Sequence, residues 1–229
     1  MNHNPFSTRY TKPGAIAFRI GDPSDQTSVQ ICSAEPIVDQ MLQSTPDCWQ
    51  IVGPHGSGKT TLVQLLLKDL PANTDVEHHV LRDGQRFLPK DLRSTKRSAK
   101  HGRRGLVVVD GYEQLGWWAR FGLRKRVKRF GQRLLVTAHR DVGFHTLYET
   151  RVSHELVKCL VQDLIGTVPP TSHKSAVVSD ATIDGLLAKH GENVREMLFE
   201  LYDIWGQMNL PSRRSPADDC DGEKETDGA

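Results

Sequence analysis

The eight residues Gly53-Pro54-His55-Gly56-Ser57-Gly58-Lys59-Thr60 fit the phosphate-binding pattern G-x-x-x-x-G-K-[ST] at every fixed position. Their flanks decide the fold class. Trp49-Gln50-Ile51-Val52 before them is a short, mostly apolar run of the kind that makes a buried parallel strand, and Thr60-Thr61-Leu62-Val63-Gln64-Leu65-Leu66-Leu67 after them carries apolar residues at helical spacing. The order is strand, loop, helix. Glycines in such a loop let successive backbone N–H groups turn inward around an anion, and a helix beginning near Gly58 aims its positive dipole end at the same point. Residues Gly53, Pro54, His55, Gly56, Ser57, Gly58, Lys59, Thr60 and Thr61 are therefore expected to cradle the phosphates of ATP. Lys59 would reach the β- and γ-phosphates, and the Thr60 hydroxyl would take one position on Mg²⁺.

Outward from this loop, the chain alternates strand and helix. Glu77 to Leu81 reads as a second strand, and Gly105-Leu106-Val107-Val108-Val109-Asp110 is an apolar, β-branched run ending in a carboxylate. From Leu115, apolar residues at Ala119, Leu123, Val127 and Phe130 predict a helix with one buried stripe. Leu134 to Thr137 is the next buried strand, and Leu147 to Val152 a fifth. This alternation implies an α/β fold, a parallel sheet with helices on both faces. Beyond Ser153 the pattern turns helical, with segments over 153–165, 179–190 and 193–207. Ser153, Ser179 and Asn193 stand as caps, and Gly166 and Gly191 stand where helices end.

The expected organisation is a three-layer P-loop NTPase fold with a small C-terminal helical lid. An N-terminal arm (1–30) precedes the core (31–152), followed by the lid (153–210) and a disordered tail (211–229) poor in apolar residues. A chain of 229 residues suits one such domain. Cys32, Cys48, Cys159 and Cys220 form no C-x-x-C pair, which argues against a zinc ribbon or a disulfide framework and for a reducing, cytoplasmic setting. No apolar stretch approaches the ~20 residues that cross a bilayer, so no membrane role is expected.

In an open parallel sheet ligands gather at the strand ends, where Asp110 would hold Mg²⁺ opposite Thr60. Two readings stand for Glu113: a base activating the attacking water, or a first-turn acid favoured by the helix dipole. Thr137 ends its strand, and if that strand lies between the two motif strands its hydroxyl can orient water or touch the γ-phosphate. Arg140, just beyond, could sense the γ-phosphate in its own chain or in a neighbouring subunit of an oligomer.

These stretches resemble the additional-strand P-loop ATPases, and among them the AAA+ and STAND classes. Gly53 to Thr60 looks like their Walker A loop, Leu106 to Asp110 their Walker B strand, and Leu134 to Thr137 their sensor-1 strand. Asp110-Gly111-Tyr112-Glu113-Gln114-Leu115 is closer to the STAND pattern, with Gly after the Asp and a second acid three positions on. Asn193-Val194-Arg195-Glu196 is similar to the sensor-2 helix start of bacterial replication initiators, which implies that Arg195 contacts the γ-phosphate from the lid. Gly111 occupies the place of the usual second AAA+ acid, which speaks against rapid hydrolysis.

Charge is localised. From Arg82 to Arg133 there are 16 Lys/Arg against 4 Asp/Glu, a local excess of 12 in a chain of net charge +2. Arg93 to Arg104 and Arg120 to Arg133 carry it, with Trp117, Trp118 and Phe121 alongside. Nucleic acid, an acidic protein partner or plain solvent could each face such a surface. The function that follows is an ATPase acting as a nucleotide-dependent switch or motor on nucleic acid or protein. A P-loop kinase with a small-molecule acceptor and a non-hydrolysing nucleotide-binding module are its rivals.

Overall fold

The computed structural model describes residues 4–12, 15, 19–21, 28–30, 33–88, 105–166 and 178–208. The basic stretch Arg93 to Arg104 and the tail from residue 211 lie outside the described residues. The elements run α1 (Thr8–Thr11), β1 (Arg19–Gly21), β2 (Ser28–Gln30), α2 (Glu35–Gln43), β3 (Cys48–Val52), α3 (Lys59–Asp69), β4 (Val76–Val80) and β5 (Leu106–Asp110). A 3-10 turn (Tyr112–Gln114) leads to α4 (Trp117–Phe130), then β6 (Arg133–Ala138), β7 (His145–Glu149), α5 (His154–Gly166), α6 (Asp180–His190) and α7 (Val194–Met208).

Five strands form one parallel sheet in the order β4-β5-β6-β3-β7. Both its faces are covered, which is why Leu106 to Val109 is an unbroken apolar run. Leu106 and Val108 point to a core shared with Val38 and Met41 of α2 and Leu62, Val63 and Leu66 of α3. Val107 and Val109 point the other way, onto Leu123 and Val127 of α4. Burying each such side chain contributes about 1.5–3 kcal/mol, so the sandwich is held from both sides.

The C-terminal helices have a core of their own, built from Val157, Leu160, Val161 and Leu164 of α5, Ile183 and Leu186 of α6, and Met197, Leu198, Leu201 and Trp205 of α7. Phe6, from the start of the chain, belongs to this cluster, its ring meeting Trp205 edge to face at 5.7 Å. The Asn4 amide donates to the Tyr202 carbonyl at 2.8 Å, so the residues around α1 are pinned to α7. The three expected caps form: Ser153 Oγ accepts from the Leu156 N–H, Ser179 Oγ from Thr182, and Asn193 Oδ1 from Glu196.

Several local expectations shift. The helix expected from Leu115 begins at Trp117, because the chain first makes the 3-10 turn and buries Leu115 outside the helix. Phe130, expected on the buried stripe, is exposed at the helix end, where Gly131 turns the chain with φ +61°. The fifth strand starts at His145 instead of Leu147, as an edge strand beside β3. At the start of α2, Ser33 Oγ accepts from the Glu35 N–H at 3.2 Å, and the Asp69 carboxylate at the end of α3 accepts from the Ala34 N–H, tying the two helices together.

Candidate nucleotide-binding site

The phosphate loop leaves the C-terminal end of β3 and opens α3, with Gly58 at the helix start in the left-handed region (φ +90°). Gly56 has φ +72°, and a Cβ on it would stand 2.3 Å from Asn193 Oδ1 and 3.1 Å from the Arg195 backbone nitrogen. Glycine is required there both by conformation and because the start of α7 closes directly onto the loop. Lys59 is buried, and its ammonium donates to the carbonyls of Gly53 at 2.8 Å and Pro54 at 2.6 Å. Burial holds its pKa below the ordinary lysine value; Glu113 and Asp110 oppose that shift and Arg195 adds to it.

Asp110 ends β5 and is buried. The Thr60 hydroxyl donates to its Oδ2 at 2.8 Å, and the Thr137 hydroxyl donates to its Oδ1 at 2.5 Å. Thr137 Oγ1 in turn accepts from the Gly111 N–H at 2.8 Å. This three-strand meeting exists because β6 lies between β5 and β3, the condition on which the role of Thr137 depended. Gly111 sits at φ +85°, and a Cβ there would lie 3.1 Å from the Leu81 carbonyl. An acid is absent after Asp110 for a backbone reason.

Glu113 lines the same cavity, with Oε1 3.3 Å from His139 Nε2 and a buried Oε2 that has no partner among the described residues. The His139 ring packs against that of His55 in the phosphate loop, centroids 3.8 Å apart. Burial pushes the His139 pKa below the ordinary histidine value, Lys59 and His55 push the same way, and Glu113 pulls it back up. At neutral pH the imidazole is uncharged.

The cavity measures about 640 Å³. One side is the phosphate loop with Asp110, Glu113, Thr137 and His139; the other is apolar, with Leu156 and Leu160 of α5 and Leu198 and Phe199 of α7. Arg195 lines it as well, whereas Arg140 is exposed and is not among the lining residues. Sequence reasoning gave no role to Thr8, Thr11 and Lys12 at the start of the chain, which also line the cavity, nor to Thr150, His139 and the apolar wall. Thr150, just past β7, bonds through its hydroxyl to Ser57 Oγ at 2.6 Å and through its N–H to the Val52 carbonyl at 2.8 Å, bracing the loop from the far edge. Nothing in the motif signals it. His139 carried a signal, as a titratable residue directly after a strand end, but its partner Glu113 is distant in sequence. The apolar wall reads from sequence only as helix core.

Half of the six cations of α4, and Arg133 on β6, are committed to the fold. Arg120 donates to the carbonyls of Glu113 and Leu115, both at 2.8 Å. Arg124 donates to the Val142 carbonyl at 3.0 Å and lies over the Phe144 ring at 4.5 Å. Arg126 grips the Glu77 carboxylate at 2.9 and 3.1 Å, and Arg133 donates to the Leu42 carbonyl at 2.6 Å. Lys125, Lys128 and Arg129 are the exposed cations of α4 without such a side-chain bond among the described residues.

A phosphate loop after one strand, a buried carboxylate closing another, and a third strand inserted between them define an α/β fold of the P-loop NTPase type. A solved structure shares this fold. A chain of Drosophila ORC, determined bound to DNA, has a TM-score of 0.52 and 12% identity over 75% of this chain and 59% of that one. Cdc6p from Pyrobaculum aerophilum is similar at TM-score 0.49 and 12% identity, over 83% of this chain and 66% of that one. The chain thus spans less than two thirds of the length of either. No family profile and no curated protein matches the sequence. Among the described residues no helix is long and apolar enough to cross a membrane.

Proposed function

We propose that the chain binds MgATP in this cavity and uses binding, followed by slow hydrolysis, as a switch that alters how the C-terminal helices and a partner engage. The observation that carries this reading is the hydrogen-bonded set Thr60, Asp110 and Thr137 beside Lys59, under a cavity roofed by α7. A hydroxyl and a carboxylate oxygen 2.8 Å apart are hard oxygen donors of the kind Mg²⁺ takes, so these residues fit the ion. Bound there, Mg²⁺ would neutralise charge on the β- and γ-phosphates.

The chain's own groups divide the remaining work. Lys59, held on carbonyls of its own loop, would turn to the phosphates, with backbone N–H groups from Gly56 to Thr61 around them. Leu156, Leu160, Leu198 and Phe199 would pack on the flat faces of the base, while Arg195 brings a cation from α7 to the phosphate end. The α5–α7 helices would then act as a lid (153–210) on the core (31–152). Glu113 is the base within reach of an attacking water, and Thr137 would help position it. Arg140, outside the cavity, is free to serve a neighbouring subunit. A nucleic-acid partner is the direction suggested by the DNA-bound structural neighbour, within a cytoplasmic setting.

Gly111 and the Glu113–His139 contact favour a second reading, a module that binds ATP and hydrolyses it negligibly. The kinase reading has no acceptor-binding observation in its favour. Titration of ATP into the parent and Lys59→Ala, with turnover measured in the same samples, tests the proposal. The expected result is tight binding in the parent and a loss of about 100-fold in the variant, from the removal of a charged hydrogen bond to phosphate. Equal affinity in a folded variant would place the nucleotide elsewhere.

A further inference from the structure

The outward face of α4 is both aromatic and basic. Trp117, Trp118 and Phe121 are 67%, 76% and 56% exposed, although aromatic rings of this size ordinarily seek burial. They are also organised. Trp117 and Phe121, one helical turn apart, hold their rings within 21° of parallel with centroids 6.3 Å apart, and Trp118 meets Trp117 edge-on at 4.3 Å. Lys125 and Lys128 continue the same face toward the C-terminus, while Leu123 and Val127 point into the core. The stripe from ring to ammonium extends about 16 Å along the helix.

Its chemistry is restricted. Residues 117–130 contain no acid, amide or hydroxyl side chain, so the face offers π-surfaces, cations and N–H donors but no side-chain oxygen to accept a hydrogen bond. An acidic protein would find charge here but no acceptor for its own donors and no use for stacked rings, and a second copy of this face would bring like charge against like. A chain of phosphates carrying unstacked bases is complementary to both parts, since phosphates meet ammonium groups and bases stack on rings whatever their sequence. We propose that this face binds single-stranded nucleic acid. Having no side-chain acceptor for the 2′-hydroxyl proton, it does so with little regard to the sugar.

The proposal deepens the switch reading by naming its partner, and one bond links the two. Arg120, on the same helix between the rings, donates to the Glu113 carbonyl at 2.8 Å, so a shift of α4 on binding would be felt at the acid facing the ATP cavity. The binding itself rests on the surface and not on the nucleotide site.

Quenching of tryptophan fluorescence by dT20 and U20, without nucleotide and at 50, 100 and 200 mM salt, tests it directly, because a base stacked on an indole quenches it. The expected result is saturable quenching, dT20 and U20 within a few-fold of each other, and affinity falling steeply with salt. The pair Trp117→Ala/Phe121→Ala should weaken binding about tenfold or more, measured by anisotropy of labelled oligonucleotide, since stacking on a ring contributes that much per base. Lys125→Glu/Lys128→Glu should lower the slope of log affinity against log salt by at least about 1.4, from two lost phosphate contacts. Because all four side chains are exposed, melting temperatures should match the parent's. Absence of binding at 50 mM salt overturns the proposal. So does binding that the aromatic pair leaves unchanged, or equal binding of polyglutamate at the same residues. ATP titration of the same samples shows independently whether the nucleotide reading stands.

Discussion

The Thr137 hydroxyl donates to Asp110 Oδ1 at 2.5 Å while accepting from the N–H of Gly111, so the end of β6 locks the end of β5 in a single orientation. Asp110 thereby presents Oδ2 to Thr60, and the candidate metal position is assembled without ligand. Preorganisation of this kind spares the ordering cost that a mobile carboxylate would incur on binding.

Asp110 and Glu113 should separate in kinetics. Asp110→Asn is expected to remove the Mg²⁺ dependence of ATP affinity, because one hard ligand is lost and a buried amide replaces it. Glu113→Gln is expected to leave affinity within about twofold and lower turnover about 100-fold, the usual scale of a positioned base. Titrations with and without Mg²⁺, paired with single-turnover rates, measure both. A Glu113→Gln variant hydrolysing at the parent rate would leave Glu113 only its contact with His139, since the 3-10 turn holds it four residues ahead of α4 and outside the helix's first turn, where the sequence had offered it a dipole role.

Restoring the acid that the chain lacks should not speed it up. Gly111→Glu places a side chain at φ +85° with its Cβ 3.1 Å from the Leu81 carbonyl. Left-handed backbone costs a non-glycine residue roughly 1–2 kcal/mol before any crowding. The expected outcome is a protein about 1–3 kcal/mol less stable in urea, with turnover no higher than the parent's.

His139 makes stability pH-dependent. Its folded-state pKa lies below the ordinary value of 6.5, so between the two values the unfolded chain binds more protons than the folded one. Stability is therefore expected to fall as pH drops below about 6.5 and to level off once pH passes below the folded-state value. Melting temperatures of nucleotide-free protein across pH 4.5–7.5 give the profile. His139→Gln should flatten this component, and a parent curve with no decline below pH 6.5 would contradict the direction assigned here.

Equal charges on α4 should have unequal effects on stability. Arg126→Ala strands the mostly buried Glu77 carboxylate and should cost about 2 kcal/mol, whereas Lys128→Ala, with nothing bonded to it among the described residues, should stay within about 0.5 kcal/mol. Chemical denaturation of the two variants decides it. A Lys128→Ala loss as large as that of Arg126→Ala would mean that the exposed cations also support the fold.

Much of this molecule was legible in its sequence because the signals are local. The phosphate loop announces itself by glycines and a Lys-Thr pair that must lie consecutively to wrap an anion. Leu106 to Asp110 and Leu134 to Thr137 are strands buried on both faces, so their apolar runs are unbroken, and Ser153, Ser179 and Asn193 mark helix starts through bonds to N–H groups only three residues on. Tertiary structure decided everything that depends on residues distant in sequence. Strand order put Thr137 against Asp110, helix closure put Asn193 and Arg195 on Gly56, and Thr150 reached Ser57 across the sheet edge. It also divided one run of identical charges into guanidiniums bonded to backbone carbonyls or to Glu77 and cations left facing water. Charge and composition are properties of the chain, but which groups lose their water is a property of packing.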